Sequence, residues 1–360
     1  MIDVLSNYIE DYAARGIHLD PFQIEACEAL GRGHDVLVSA PTGSGKTVVA
    51  HYAVELALAR SRRCIYTAPI KALSNQKYGE LVSRLGEENV GLLTGDVTIN
   101  REAPILIVTT EVLRNMLFHG AEEIDDVGYV VLDEVHYLAD RERGPVWEEV
   151  ILSLPEHIRL VSLSATIANT GELSSWMESV RGTTELIVSD IRPVPLVQSV
   201  AVGRKIYGLY GEGGEVNPAL LTAIRNHSAK RPEERGRRMG DGARRHLIES
   251  LGKRDMLPAI HFIFSRKGCD MAVAALLKAG VSLTSPSEQR EIRRHIDELR
   301  SSMSESDRRA VRFESAAAAL VRGFGVHHAG ILPGIKSLTE NLMMIGMAVW
   351  MIFKPMGIGH

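Results

Sequence analysis

A glycine-rich loop between a strand and a helix constrains the fold of this chain more than any other feature. The run APTGSGKT spans Ala40 to Thr47, follows the β-rich run Asp35 to Ser39 and precedes the helical stretch Val48 to Ala59. Glycines let backbone amides curl around phosphate oxygens, and a helix N-terminus adds partial positive charge. The alternative is an ordinary glycine-rich turn before a helix. The flanking strand and helix favour a phosphate-binding loop, and they predict an α/β fold.

This loop predicts roles for single side chains. Lys46 would contact the β- and γ-phosphates of ATP, and the Thr47 hydroxyl would hold Mg²⁺. Ala40 stands where the general pattern GxxxxGK[ST] has its first glycine, which is a departure from that pattern. The predicted cofactors are therefore ATP and Mg²⁺. The predicted nucleotide contacts in the loop are Thr42, Gly43, Ser44, Gly45, Lys46 and Thr47.

A second acidic motif follows a later apolar run. Tyr129 to Leu132 is followed by Asp133 and Glu134, within the string DEVH. An isolated Asp-Glu pair is usually a solvated turn, but its position after a strand and downstream of a phosphate-binding loop favours function. Asp133 would complete the Mg²⁺ shell, and Glu134 would orient and deprotonate the attacking water. The predicted catalytic residues are thus Lys46, Asp133 and Glu134.

These motifs, together with their neighbours, carry a family resemblance. DEVH and its tail YLADRERGPVWEE, Tyr137 to Glu149, resemble the Ski2-like family of superfamily 2 helicases, which includes Ski2, Mtr4 and the actinobacterial HelY-like helicases. The resemblance covers about Asp20 to Gly346. Further segments match in family order: PIKALSNQK (motif Ia), TGD and TTEVLRNML (Ib and Ic), SLSATIAN (motif III), RPVPL (the crossing between motor domains), FIFSRKGCD (motif IV) and VHHAGILPG.

The resemblance implies an ATP-dependent 3′ to 5′ helicase. Motifs Ia to Ic follow the predicted strands Cys64 to Thr67 and Ile105 to Val108, and ligands bind at the carboxyl ends of strands in open α/β sheets. Side chains there can donate hydrogen bonds to phosphates without reading bases. An ordinary polar helix start is the alternative for Lys71 to Lys77. The implied nucleic-acid contacts are Pro69, Lys71, Ser74, Asn75, Gln76, Thr94, Gly95, Thr110, Arg114, Ser265 and Arg266.

Four further residues gain roles from the resemblance. Gln23, after Phe22 in LDPFQIEA, resembles the glutamine that reads adenine upstream of the loop. His136, Ser164 and Thr166 would couple the ATP site to the nucleic-acid site. A satisfied core histidine is the alternative for His136.

Length and composition agree with two motor domains, and the resemblance implies that both are RecA-like parallel-sheet domains, the second of them incomplete. The 360 residues suffice for an ATP-binding domain at 1–195, a linker with an Arg- and Gly-rich insertion at 196–257, and a partial second domain at 258–360. The insertion is predicted to be mobile. Its arginine cluster, Lys230 to Arg245, is either solvated or contacts RNA. The second domain should begin with a strand at Ala259 to Phe264 and a helix at Arg266 to Ala279.

Charge and cysteine content exclude several classes of protein. The net charge of −4 argues against a tail that binds nucleic acid by bulk charge. Cys27, Cys64 and Cys269 are too far apart for a sequence-readable zinc site or disulfide framework. The mixed polarity of the first twenty residues indicates no signal peptide, so we expect a cytoplasmic protein. Leu342 to Phe353 is apolar but shorter than the ~20 residues of a membrane helix, so no membrane is expected as a partner.

The last segment departs from the family pattern. Family members carry motifs V and VI after HHAG, and the arginines of motif VI reach the γ-phosphate. Such an arginine finger contributes ~10³ to 10⁵ in rate. Met347 to His360 matches neither motif, so the sequence resembles a helicase cut short. We expect an unpaired sheet edge there, with Leu342 to Phe353 as a misplaced core segment.

Two functions therefore stay open. The first is an ATP-dependent RNA helicase, with DNA as the alternative substrate. The second is a remnant that binds ATP and single-stranded nucleic acid without efficient hydrolysis. The expected partners are single-stranded or partly duplex RNA and RNA-degradation machinery, and the sequence leaves the oligomeric state open.

Overall fold

A computed structural model describes residues 4–119, 124–211, 213–230, 240–303, 313–328, 330–331, 333–344 and 349–352. The chain divides into two compact units, Met1–Leu196 and Val197–His360. Each unit has its own β-strands and its own hydrophobic clusters.

The first unit is built on one eight-stranded sheet. Its strands are β1 Asp35–Ser39, β2 Arg63–Ala68, β3 Val90–Leu93, β4 Thr98–Ile99, β5 Ile105–Thr109, β6 Val127–Leu132, β7 Arg159–Ser164 and β8 Thr184–Val188. They lie in the order β4-β3-β5-β2-β6-β7-β1-β8. Each neighbouring pair is parallel except β3 with β4, which is antiparallel. The predicted α/β class with a parallel sheet is confirmed.

Helices cover both faces of this sheet. They are α1 Val4–Ala14, α2 Pro21–Gly31, α3 Thr47–Ala59, α4 Lys71–Leu85, α5 Thr110–His119, α6 Gly144–Ser153 and α7 Thr170–Arg181, with 3₁₀ segments at Glu87–Asn89 and Val135–Ala139. Buried residues of α1 to α4 pack in one core, and those of α5 to α7 pack in the other. The sheet is thus the middle of three layers.

Strand β1 shows why its sequence is continuously apolar. Val36 and Val38 belong to the core on one face, and Leu37 belongs to the core on the other. All five residues of the strand are buried. A parallel strand covered by helices on both faces needs apolar side chains at successive positions, because alternate side chains point to opposite faces. This burial fixes β1 in the sheet interior, and so it fixes the loop that follows.

The second unit begins with a hairpin, β9 Ser199–Val202 and β10 Lys205–Gly208. A three-stranded parallel sheet follows, in the order β11-β13-β12, with strands β11 Ala259–Phe262, β12 Phe324–His327 and β13 Val349–Ile352. Its helices are α8 Pro218–Lys230, α9 Asp241–Gly252, α10 Arg266–Lys278, α11 Pro286–Ser302, α12 Phe313–Val321 and α13 Pro333–Met344. Phe324 of β12 packs against buried residues of α10, and α11, α12 and α13 share a second cluster.

One expectation for this unit was wrong, and the mobility predicted for the insertion stays a prediction. The described part of 203–257 forms a strand, two helices and their connections, and Leu220 and Ile248 of these helices are buried. Within the apolar segment Leu342 to Phe353, the described residues Val349–Ile352 form β13. This strand is not a misplaced core segment, because it is the central strand of the sheet and pairs with both neighbours.

The arginine cluster lies only partly within the described residues. Arg231, Arg235, Arg237 and Arg238 lie outside them. Arg244 and Arg245 lie on α9, where each donates a hydrogen bond of 2.8 Å to an acidic residue of the same helix. Among the described residues, no helix is both long enough and apolar enough to cross a bilayer.

Candidate nucleotide and nucleic-acid site

The glycine-rich loop leaves β1 at the carboxyl edge of the sheet. Gly43 and Gly45 both have φ of +84°, a conformation that favours glycine over any residue with a Cβ. A Cβ at Gly45 would lie 2.5 Å from Gln23 Nε2, whereas one at Gly43 would have no atom within 4 Å. The loop is therefore closed against α2 on one side and open on the other, where a ligand can approach the backbone.

Gln23 lies directly against this loop. Its Oε1 accepts a hydrogen bond from the Asp20 N–H (2.8 Å), and its Nε2 donates to the Gly45 carbonyl oxygen (3.0 Å). The side chain is buried. Nε2 also donates to the Ser44 carbonyl oxygen (3.4 Å), so the donors of this amide are used within the loop.

The loop itself fits phosphate. Lys46 Nζ donates to the carbonyl oxygens of Ala40 (2.7 Å) and Pro41 (3.0 Å), which phosphate oxygens could replace. Burial lowers the pKa of Lys46, and the nearby Glu134 and Asp133 carboxylates oppose this by raising it. The buried Ser44 hydroxyl has no hydrogen-bond partner among the described atoms. A phosphate oxygen could serve as the partner of this hydroxyl.

The DEVH carboxylates lie at the same edge, after β6. Asp133 Oδ1 accepts from the Glu134 N–H (3.0 Å), and Asp133 Oδ2 accepts from the Tyr66 hydroxyl (2.7 Å). Glu134 has φ of +59°, in the left-handed region that a glutamate rarely adopts. Its Oε2 lies 3.3 Å from His136 Nδ1. Such local strain is typical of functional positions.

The donor set at this edge suits Mg²⁺. Thr47, the first residue of α3, supplies a hydroxyl, and Asp133 supplies a carboxylate. Both donors are therefore hard oxygens. Mg²⁺ in nucleotide sites usually takes one or two such protein ligands and completes its shell with phosphate oxygens and water. The part of the chain that the structure describes contains no group of three or more His, Cys, Asp or Glu residues arranged to hold a metal. Magnesium would therefore bind together with the phosphates.

Comparison with known proteins agrees with this geometry. Residues 20–173 match the family model described as DEAD/DEAH box helicase. Residues 20–173 form a DEAD/DEAH box helicase domain. Over 91% of the chain, it is 46% identical to Probable helicase HelY of Mycobacterium tuberculosis, 38% to the DExH-box ATP-dependent RNA helicase DExH15 chloroplastic of Arabidopsis thaliana and 36% to Exosome RNA helicase MTR4 of Mus musculus. The chain spans 38%, 31% and 32% of those relatives.

The predicted nucleic-acid contacts of the helicase domain fall into two groups. Those at the surface are Lys71, Asn75, Gln76 and Gly95, with Arg114 half-buried. Lys71 pairs with Asp96, and Arg114 Nη1 lies 3.6 Å from Glu149 Oε2. Both cations follow strands, β2 and β5, that end at the carboxyl edge from which the phosphate-binding loop also leaves, with β6 and β7 between β2 and β1.

The second group is buried. Ser74, Thr94 and Thr110 are each at most 5% exposed. The Ser74 hydroxyl faces the Ile70 carbonyl oxygen of its own helix (3.5 Å), and the Thr94 hydroxyl donates to Asp96 (3.2 Å). These hydroxyls do not face solvent, because they pack beneath the first turns that follow the strands. The prediction that Ser74 donates to a phosphate is therefore not supported by this arrangement.

The remaining predicted residues lie at turns. Ser164 ends β7 with its hydroxyl bonded to the Ala165 carbonyl oxygen (2.8 Å), while Thr166 is exposed beyond it. Pro69 follows β2 directly and is buried, as are the residues of the second group. In the second unit, Ser265 caps α10 by accepting from the Gly268 N–H (3.1 Å), and the exposed Arg266 begins that helix.

Sequence reasoning missed Tyr66, whose hydroxyl contacts the carboxylate of Asp133. A tyrosine in a buried strand just before motif Ia was the available signal. Its role could not be assigned from the sequence, because the contact exists only if β2 and β6 are neighbours in the sheet.

Proposed function

We propose that the chain is the motor part of an ATP-dependent RNA helicase that couples Mg-ATP hydrolysis to 3′ to 5′ translocation and unwinding. The observation that carries the proposal is that hydrolytic residues and phosphate-binding cations lie at the same edge of one sheet. Lys46, Asp133 and Glu134 provide the hydrolytic set, and Lys71 and Arg114 follow neighbouring strands with their cationic ends near the surface. Nucleotide and nucleic acid can therefore bind at the same edge of one sheet.

The choice of RNA rests on the relatives. Two of those compared are named RNA helicases, and one of these is named for the exosome. By extension, we propose single-stranded or partly duplex RNA as the substrate and RNA-degradation machinery as the partner. Contacts to phosphates alone would also accept DNA, so competition between RNA and DNA strands of equal sequence distinguishes the two substrates.

ATP hydrolysis with and without single-stranded RNA tests the function. Turnover that rises with RNA supports a working motor. Nucleotide binding without turnover at any RNA concentration contradicts it and supports the second candidate, a chain that binds ATP and nucleic acid without hydrolysis. If the chain binds neither ATP nor nucleic acid, both candidate functions are wrong.

Lys46→Ala is expected to weaken nucleotide binding about 10- to 100-fold, because hydrogen bonds to charged groups are each worth about 1.5–3 kcal/mol. Equilibrium titration with a fluorescent ATP analogue measures the affinity. Lys267→Ala, which removes an exposed lysine from α10 in the second unit, is the matched control and should leave the affinity unchanged. An unchanged affinity in Lys46→Ala would place the nucleotide elsewhere.

A double variant, Lys71→Ala with Arg114→Ala, tests the nucleic-acid surface. For single strands, log K falls with log salt by about 0.7 per phosphate contact, so losing two contacts should reduce that slope by about 1.4. Fluorescence anisotropy with a labelled oligonucleotide over a salt series measures the slope.

Arg32→Ala with Arg62→Ala is the control for that experiment. Both arginines precede strands, β1 and β2, so they lie at the opposite edge of the same sheet. The control removes the same charge and should leave the slope as in the parent. Equal slope changes in both double variants would mean that binding depends on net charge and not on this edge.

A further inference from the structure

Asp133 is held to β2 by two separate bonds. Its N–H donates to the Thr67 carbonyl oxygen (3.2 Å), and its Oδ2 accepts from the hydroxyl of Tyr66 (2.7 Å). Its other carboxylate oxygen accepts from the Glu134 N–H. The Tyr66 hydroxyl and the Glu134 N–H both belong to the protein, so they fix the plane of the carboxylate without a bound ligand.

Tyr66 has little freedom to move. It is fully buried, and its ring belongs to the core shared by α1 to α4. The Lys77 ammonium lies 5.8 Å from the centre of the ring, a cation–π distance. A ring held in this way keeps the hydroxyl beside Asp133, to which it donates.

Two consecutive ion pairs hold the Lys77 ammonium near the ring. Lys77 Nζ lies 3.0 Å from Glu80 Oε2, and Glu80 Oε1 lies 3.2 Å from His51 Nε2 on α3. The contact with His51, followed by the pair with Lys77, lowers the pKa of Glu80 to about 2, so Glu80 is ionised at neutral pH. These contacts between Lys77, Glu80 and His51 thus connect α3, which begins at Thr47, to α4, which begins at Lys71.

We propose that Tyr66 is a positioning residue for the metal site: its hydroxyl orients the Asp133 carboxylate for Mg²⁺ and so sets how much Mg²⁺ the chain needs to hold nucleotide. The inference rests on the proposed Mg-nucleotide binding. Tyr66 would not touch the metal or the phosphates. The hydroxyl donates to Asp133 Oδ2 (2.7 Å), and this contact alone gives it the positioning role. Partners that orient a metal ligand are typically worth 10- to 100-fold in metal affinity.

Tyr66→Phe removes the hydroxyl and keeps the ring. Binding of a fluorescent ADP analogue is followed while Mg²⁺ is titrated, and again in EDTA. We expect the Mg²⁺ concentration for half-maximal binding to rise about 10- to 100-fold. Binding in EDTA should stay at the parent level, which also shows that the variant is folded.

Tyr129→Phe is the matched control. Tyr129 is also buried, lies on the strand that leads to Asp133, and accepts a hydrogen bond at its hydroxyl from Arg60 (2.6 Å). Any thermal destabilisation should be similar in the two variants, whereas only Tyr66→Phe should shift the Mg²⁺ dependence. Equal Mg²⁺ curves for Tyr66→Phe and the parent would overturn the inference while leaving nucleotide binding established.

A second variant separates positioning from general damage. In an Asp133→Asn background, Tyr66→Phe should cause no further change in the Mg²⁺ dependence, because the carboxylate that it orients is gone. A further shift as large as in the parent background would mean that Tyr66 acts by another route. If the parent chain binds no nucleotide at any Mg²⁺ concentration, the proposed function is wrong, and this inference is wrong with it.

Discussion

Glu134→Gln is expected to lower ATP hydrolysis by about 10²- to 10⁴-fold and to leave nucleotide binding intact. General-base catalysis contributes a factor of this size, and glutamine keeps the shape of the side chain without accepting a proton. Glu134 is suited to the role because it follows the proposed metal ligand and adopts the left-handed conformation at the carboxyl edge. The Lys46 amine donates to the carbonyl oxygens of Ala40 and Pro41, so its position in the loop does not depend on the Glu134 carboxylate, and we expect binding to be retained.

Single-turnover hydrolysis and equilibrium nucleotide binding, measured on the same preparation, check both halves of this prediction. Glu178→Gln is the control, because Glu178 is an exposed carboxylate near the end of α7, away from the loop. The control should hydrolyse ATP at the parent rate. If Glu134→Gln also keeps the parent rate, another group deprotonates the water.

Asp35→Ala is expected to destabilise the first unit by about 3–5 kcal/mol, because removing one partner of a buried ion pair leaves an uncompensated charge. Asp35 is fully buried at the start of β1. Its carboxylate lies 3.1 Å from Arg181 Nε and accepts from the Leu160 N–H (3.0 Å). Arg181 is also nearly buried and donates to the Ile158 carbonyl oxygen (2.6 Å). Alanine would leave the guanidinium and the Leu160 amide without their shared acceptor.

Urea unfolding followed by tryptophan fluorescence, to which the buried Trp147 of this unit contributes, measures the loss. Arg32→Ala is the comparison. It breaks the exposed pair with Glu185 at the same edge of the sheet, and surface pairs contribute little. The midpoint should therefore move far less than in Asp35→Ala. Equal shifts in the two variants would mean that burial does not decide the energetics of these pairs.

The two predictions concern opposite edges of one sheet. Glu134 belongs to the carboxyl edge, where strands end and loops are free to bind ligands. Asp35 belongs to the amino edge, where its carboxylate pairs with Arg159 of β7 and with Arg181 of α7. These ion pairs connect β1 to β7 and to α7. We expect Asp35→Ala to reduce nucleotide affinity only through loss of folded protein, whereas Glu134→Gln should leave stability unchanged.

Local elements were predictable because neighbouring residues encode them. The strand Asp35–Ser39 has the predicted bounds, and the helix after the loop begins one residue earlier than predicted. The strand predicted at Ala259 to Phe264 ends at Phe262, and the helix that follows ends at Lys278. Element ends depend on caps and on tertiary packing, so small differences at the boundaries are expected.

Long-range order was not predictable in the same way. The sequence determined the phosphate-binding loop, the acidic pair after a buried strand, and the α/β class, because glycine conformations and apolar runs are properties of adjacent residues. Only the tertiary structure decided that β2 lies beside β6, so that Tyr66 reaches Asp133, 67 positions later. It also decided that Ser74 is buried and that β13 is a central strand. These outcomes depend on which faces are covered when the whole sheet packs, and no local pattern contains that information.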